Sequence, residues 1–323
     1  MNKEYLHNAS AYGGSGWSPR SRPLTDEIGS IWGRFGLASE TAPLRSVMVH
    51  CPGPELEAAQ EPDAIQMLDR LDLEKARLQH NRLVDAYIEA GINVYQVSPQ
   101  DTTSPNQMFV ADLFFMTPEG AILARPASTV RAGEERWAAR RLVDLGIPIL
   151  KSIRGQGTFE GADAAWISPS TVLLGRGLRT NAEGALQVAS LLNEMGIQVI
   201  QVDLPSGTMH LMGMLRFADQ DLALAWPERL AYSAVEALKD AGYTVRFIPD
   251  AEEAQRGFAL NFVTLSPGKI LMPAGNPVTQ SFYESIGMSC LTVDISELVK
   301  AAGAMGCLTG IIERDSEVSG KAG

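Results

Sequence analysis

The stretch Ala111–Pro126, "ADLFFMTPEGAILARP", decides how the chain folds. Two short apolar runs flank Thr117, Pro118, Glu119 and Gly120. Proline and glycine supply the dihedrals that reverse a chain, so the stretch predicts a β-hairpin. The pattern returns in "ADAAWISPSTVLLGRG" (Ala162–Gly177), "GMLRFADQDLALAWP" (Gly213–Pro227) and "LNFVTLSPGKILMPAG" (Leu260–Gly275). Behind each hairpin lies a helix-patterned segment: Arg131–Leu145, Asn181–Met195, Glu228–Ala241 and Val278–Ile286. Each stops at a glycine (Gly146, Gly196, Gly242, Gly287), a residue suited to the position just past a helix. The strands "IPIL", "IQVIQV", "YTVRFI" and "MSCLTV" follow. A fifth copy, with a less regular hairpin, runs from "LRSVMVHCPGPEL" (Leu44–Leu56) through a helix ending near Ala90 to Gly91 and "INVYQV".

Units repeating at roughly 45–55 residues are the mark of a repeat architecture. Although 323 residues would ordinarily suggest two domains, the repeat predicts one α/β domain over residues 41–314. Its fold class is a five-fold pseudo-symmetric α/β propeller of ββαβ units around a central cavity. Residues 1–40, with "GGSGWSPRSRP", read as an extended arm, and residues 315–323 as a frayed tail.

Composition limits the function classes. A hydrophobic share of 45% with 20% charged residues predicts an ample core that folds without staples. The net charge of −11 and the lack of a lysine/arginine stripe argue against nucleic acid as a partner. No apolar run approaches the roughly 20 residues that span a bilayer, and the first residues lack a signal-peptide core, so a cytoplasmic protein without membrane partners is expected. Cys51, Cys290 and Cys307 have neither disulfide-framework nor zinc spacing, and four histidines make a His-built metal site improbable. No metal or cofactor is expected. A closed ring need not oligomerise, and a homodimer stays open.

In such a ring, equivalent positions of each unit face one axis. Just before or at the first hairpin strand stand Asp112, Glu160 with Asp163, His210 and Asn261, and Cys307 opens the final return in "AAGAMGCLTG". Glycines around a thiol let the backbone come close to another group. An acidic pair, a histidine and a cysteine would therefore share a cavity, whereas Cys51 and Cys290 read as small core residues.

These residues resemble the guanidine-modifying, or pentein, superfamily of arginine deiminases, dimethylarginine dimethylaminohydrolases and amidinotransferases. The resemblance is carried by "FVADLFF", "FEGAD", "GLRTN", "HLMG", "NFV" with "LMPAGNP", and "VDISELVKAAGAMGCLTG", in that order, and covers nearly the whole chain after the arm. It implies a small guanidino substrate. The chemistry agrees. A guanidinium is a delocalised, weakly electrophilic cation, so catalysis needs carboxylates to fix its N–H groups and a soft nucleophile for its carbon. Asp112 and Glu160 suit the first role and Cys307 the second. His210 suits the protonation of the leaving amine and the activation of water. The thiolate would be favoured by the substrate's own charge, and a covalent amidino-cysteine would follow. Asp163 either supports the site or caps a turn. By the same resemblance, Arg131 and Arg179 would clamp a substrate carboxylate; the alternative is a surface charge at a helix start.

The pattern departs from the deiminase and amidinotransferase branches at Ala111, where they carry arginine, and at Met212, where they carry an aspartate that holds the guanidinium. A thioether in place of a carboxylate favours alkylated guanidines. The leading expectation is hydrolysis of a substituted guanidine, N-methylated arginine first. An amidinotransferase is the enzymatic alternative, and a non-catalytic guanidino-compound binding protein the other.

Overall fold

The computed structural model describes residues 9–57, 61–101 and 103–315. Strand β1 (Leu44–Val49) runs parallel to β2 (Asn93–Gln96), with the helix α1 (Leu73–Glu89) between them in sequence. The hairpin in Ala111–Pro126 forms as β3 (Phe114–Thr117) and β4 (Gly120–Leu123), with Phe114 opposite Leu123 and Thr117 opposite Gly120. Its turn is held by the Thr117 hydroxyl, which donates to the Gly120 carbonyl at 2.8 Å. After α2 (Glu135–Asp144), strand β5 (Ile149–Ser152) joins β4 in parallel.

The unit then repeats. One sheet holds β6 (Ala164–Ser168), β7 (Thr171–Arg176) and β8 (Gln198–Asp203), with α3 (Ala182–Glu194) preceding β8. The next holds β9 (Leu215–Asp219), β10 (Leu222–Ala225) and β11 (Thr244–Phe247), with α4 (Tyr232–Asp240) before β11. After the short α5 (Ala251–Gln255) come β12 (Val263–Ser266), β13 (Lys269–Pro273), α6 (Pro277–Ser285) and β14 (Ser289–Val293). In each sheet the first two strands are antiparallel and the third is parallel to the second. The five glycines that end the long helices, Gly91, Gly146, Gly196, Gly242 and Gly287, have φ between +71° and +91°, a conformation that only glycine adopts freely.

The less regular first copy is not a hairpin. The antiparallel neighbour of β1 is β15 (Gly310–Arg314), brought from the far end of the chain by way of α7 (Met305–Leu308). Two helices also start later than their apolar spacing predicts. Before α2, Thr129–Arg131 forms a separate 3-10 turn whose Val130 N–H is capped by Ser128, and Gly133 at φ +94° breaks the run. Before α4, Glu228 has φ +64°, which the helix cannot absorb.

The first sheet touches the second through β15 and β3, the fourth touches the fifth through β9, and β12 of the last touches β1 of the first; β3 and β6 meet the turns at 161–163 and 211–213 that lead into the sheets after them. Buried apolar side chains fill the layers between sheets and helices, among them Trp166, Phe159, Tyr87 and Tyr283. Part of the predicted arm packs onto this core: Phe35 and Leu37 are buried, and Gly36 exchanges backbone hydrogen bonds with β15. Residues 316–323 of the predicted tail lie outside the described residues. Among the described residues, no helix is long and apolar enough to cross a membrane.

Candidate active site

A short turn precedes each first hairpin strand, and those turns carry the polar side chains. Val110–Asp112 leads into β3, Gly161–Asp163 into β6, Leu211–Gly213 into β9, and Asn261 stands two residues before β12. The turns at 110–112, 161–163 and 211–213 touch one another in that order, and α7 touches the first. Gly161 permits this approach, because a Cβ there would collide with the carbonyls of Phe114 and Ala111.

The turns bring Asp112, Glu160 and His210 together with their oxygen and nitrogen atoms within 4.8 Å. Glu160 is fully buried, and its Oε2 lies 2.6 Å from His210 Nε2. Its oxygens also accept from the Ala127 N–H at 3.0 Å and from both arginines, Arg131 at 3.4 Å and Arg179 at 3.3 Å. Burial opposes ionisation of this carboxyl, yet the His210 hydrogen bond and the three positive neighbours hold it well below the usual carboxylate range. Burial likewise disfavours the imidazolium of His210, but the charge of Asp112 and the bond to Glu160 outweigh that cost and push it up to about 9. His210 is therefore a proton donor at neutral pH.

Arg131 is neither exposed nor on a helix. The break at Gly133 leaves it at the end of its 3-10 turn, where its guanidinium meets Asp112 Oδ2 at 2.7 Å and Glu134 Oε2 at 2.8 Å. Glu134 is buried and its carboxyl is raised to about 7, chiefly by burial. Asp112 differs from Glu160 in one respect. Its Oδ1 is buried, has no hydrogen-bond partner, and lies 3.8 Å from His210 Nε2, beyond hydrogen-bond reach. An unpaired buried carboxylate oxygen is costly unless a cationic donor meets it.

Asp163 lies behind this group. Its Oδ2 accepts from Thr180 at 2.6 Å and its Oδ1 from the Leu211 N–H at 3.0 Å. Burial raises its carboxyl to about 6. With both oxygens engaged, Asp163 fixes the turn that carries His210 and does not line the pocket. The N-cap of α3, Asn181, accepts from Thr158 and Gly184, which ties Arg179 and Thr180 to the strand entering Glu160.

Cys307 sits half-buried in α7. Asn261 grips it from two sides, donating from Nδ2 to Sγ at 3.1 Å and accepting from the Cys307 N–H at 3.2 Å. Gly306 makes room for that grip, since a Cβ on it would stand 2.6 Å from Asn261 Oδ1. Burial raises the thiol above its ordinary value and the charge of Asp112 adds to this, while bonds from the backbone and Asn261 oppose them. We predict that Gly306→Ala, which must displace Asn261, lowers kcat by about 10²-fold through misplacement of the sulfur. Steady-state kinetics together with the pH dependence of thiol alkylation would check this. An unchanged alkylation profile would show that the glycine serves only packing.

A pocket joins these groups. It is lined by Asp112, Arg131, Arg179, His210 and Cys307, with Gln66, Asn106 and Phe109 at its wall. Met212 is half-buried and lines a second, apolar cleft that shares His210 and Cys307. Cys51 and Cys290 line neither. Glu134, Thr180, Gln66 and Asn106 escape sequence reading, although Thr180 stands inside the quoted "GLRTN". Asp112, Glu160 and His210 also have the donor atoms of a metal site. However, Arg131 and Arg179 already bond Glu160 and Arg131 also holds Asp112 Oδ2, so a divalent cation would have to share Glu160 with two guanidinium groups. The set suits a spread, hydrogen-bonding cation better than a point charge.

Residues 102–244 match the family model "Arginine deiminase". The chain is 27% identical over 242 residues to a dimethylarginine dimethylaminohydrolase of Pseudomonas aeruginosa, covering 75% of this chain and 90% of that protein. It is 27% identical over 244 residues to the Streptomyces coelicolor enzyme of the same name, covering 73% and 88%. Among solved structures, a dimethylarginine dimethylaminohydrolase adduct with 4-chloro-2-hydroxymethylpyridine superposes with a TM-score of 0.70 at 26% identity, over 83% of this chain and 99% of that one. SxtG, an amidinotransferase from Microseira wollei, superposes with a TM-score of 0.71 at 15% identity, over 87% and 98%, a likeness of fold.

Proposed function

The chain belongs to the guanidine-modifying, or pentein, superfamily, and from that premise we propose that it hydrolyses a C–N bond of a guanidino compound through a covalent amidino-cysteine, N-methylated arginine being the favoured class. The five sheets are then the five blades of a propeller, residues 41–314 form its catalytic domain, and the work is cytoplasmic. One observation carries the reading: Asp112, whose buried Oδ1 has no hydrogen-bond partner, lines the pocket that also holds Cys307 and His210.

In this mechanism a planar cation enters the pocket and donates an N–H to Asp112 Oδ1. Its charge offsets that of Asp112, which otherwise raises the thiol, so substrate promotes formation of the Cys307 thiolate. The sulfur attacks the guanidinium carbon, and His210, already protonated, delivers a proton to the departing nitrogen. Neutral His210 then takes a proton from the water that opens the intermediate, and Glu160 holds the ring through both steps. Arg131, with its bonds to Asp112 and Glu134, fixes the carboxylates. Arg179, bonded to Glu160 and lining the pocket, is the better placed of the two to meet a substrate carboxylate.

The experiment that tests this reading is product analysis by mass spectrometry after incubation with arginine, methylarginines, agmatine and guanidino acids. A urea product and a released amine are expected. Transfer of the amidino group to added glycine would instead make the protein an amidinotransferase.

Thiol reactivity gives a signed prediction. At pH 7 Cys307 should react slowly with neutral iodoacetamide, at a rate that climbs past the pH of an ordinary cysteine, and much faster with cationic 2-chloroacetamidine. Asp112→Asn removes a negative charge and therefore lowers the thiol pKa. The variant should react faster with iodoacetamide at neutral pH and lose its preference for the cation. If both rates fall or both stay unchanged, Asp112 does not face the sulfur as described.

A further inference from the structure

Cys307 stands between two clefts of opposite character. The first, with Asp112, Arg131 and Arg179, is the guanidinium pocket described above. The second holds about 110 Å3 and is walled by Met209, Met212, Met214, Trp226, Phe258 and Leu260. No carboxylate, lysine or arginine lines it, and it opens directly onto His210, Asn261 and Cys307.

Its walls are held at a conformational cost. Phe258, at φ +52°, and Ala302, at φ +69°, both line the cleft and both adopt the left-handed region that L side chains avoid. A glycine at 258 would relieve the backbone but remove the ring from the wall. Backbone strain retained beside a reactive group, at two residues that line the apolar cleft, points to a ligand-shaped surface.

We propose that this cleft receives a hydrocarbon substituent on the guanidine nitrogen that leaves, of propyl to small-ring size. The proposal rests on Cys307 acting on guanidines. Size decides against methyl as the best fit: a cavity of about 150 Å3 takes up a benzene ring, so a single methyl would leave most of this cleft unfilled. The thioethers of Met209, Met212 and Met214 suit a hydrocarbon whose shape varies.

The placement fits the chemistry. The thiolate's electron pair forms the S–C bond, the bond from carbon to the substituted nitrogen breaks, and that nitrogen takes the proton of His210. The alkylamine leaves through the apolar cleft and gains a second proton from solvent. Water then gives one proton to His210, its oxygen to the carbon and its other proton to solvent; the C–S bond breaks with its electron pair returning to the sulfur, and a urea departs. The sum is a substituted guanidinium and water yielding a urea and an alkylammonium.

The test compares Nω-methyl-L-arginine with Nω-propyl-L-arginine. Two further buried methylenes, each worth about fourfold, should raise kcat/KM about fifteen-fold for the propyl compound. Trp226→Ala should erase most of that gain, lowering kcat/KM for the propyl compound more than for the methyl compound. Calorimetric affinities measured on Cys307→Ser should rank the two compounds in the same order. Turnover of the methyl compound with an equal or poorer propyl compound, in rate and in affinity, would overturn the proposal and leave the guanidine chemistry standing. Failure of every guanidine to bind or react would overturn both.

Discussion

Replacing Cys307 by serine should reduce turnover by about 10⁴- to 10⁶-fold, the scale seen when a covalent nucleophile is removed. The loss should fall on kcat. Serine is smaller than cysteine and can still accept from Asn261 Nδ2, so α7 keeps its place, and Asp112 still presents Oδ1 to a cation. The hydroxyl cannot substitute for the sulfur, because its pKa lies far above that of the thiol and the open oxygen of the pocket, Asp112 Oδ1, is engaged by the bound cation. Glu160 is saturated by His210, Arg131, Arg179 and the Ala127 N–H, and His210 is already protonated. Equilibrium binding and stopped-flow turnover on one preparation would check the split. A variant retaining a tenth of the parental rate would remove covalent catalysis by this residue.

His210→Gln should cost about 10²- to 10⁴-fold, the usual worth of general acid–base catalysis. Glutamine can keep a hydrogen bond to Glu160 but carries no transferable proton near neutrality. The wild-type rate should fall as pH rises through about 9, where His210 loses the proton it donates. The variant should lack that limb. Better leaving groups should rescue the first step, because a weakly basic nitrogen departs without a proton. The second step still needs water to be deprotonated, so the amidino-cysteine should accumulate. A pH profile that keeps its alkaline limb in His210→Gln would assign the limb to another group.

The two predictions draw on residues that were legible in the sequence for different reasons. Four hairpins announce themselves through local turn chemistry, Pro118-Glu119-Gly120 being the plainest, and their repetition places Asp112, Glu160, His210 and Asn261 at equivalent points. The fifth unit was legible only in part. Its antiparallel partner β15 comes from the other end of the chain, and no local pattern announces such a pairing. Arg131 is named from its motif as a clamp for a substrate carboxylate, but its true partners, Glu134 among them, were hidden for another reason. Apolar spacing carried the helix back to Arg131, whereas Gly133 breaks it and turns both side chains into the site. Asp163 could be placed in the right turn from its motif, but not aimed, since Thr180 lies beyond the hairpin and Leu211 in the next unit. The apolar cleft was least visible. Met209, Trp226 and Phe258 come from separate segments, and each alone reads as a core residue.

The reading depends above all on a covalent bond between Cys307 and the substrate's central carbon. The most direct measurement is mass spectrometry of the digested protein after acid quench of His210→Gln, incubated with Nω-(2,2,2-trifluoroethyl)-L-arginine, whose leaving amine is weakly basic. The account predicts that the peptide containing Cys307 gains the mass of the substrate less trifluoroethylamine, and that peptides containing Cys51 and Cys290 are unmodified. Product formation with no adduct on Cys307 at any quench time would contradict it.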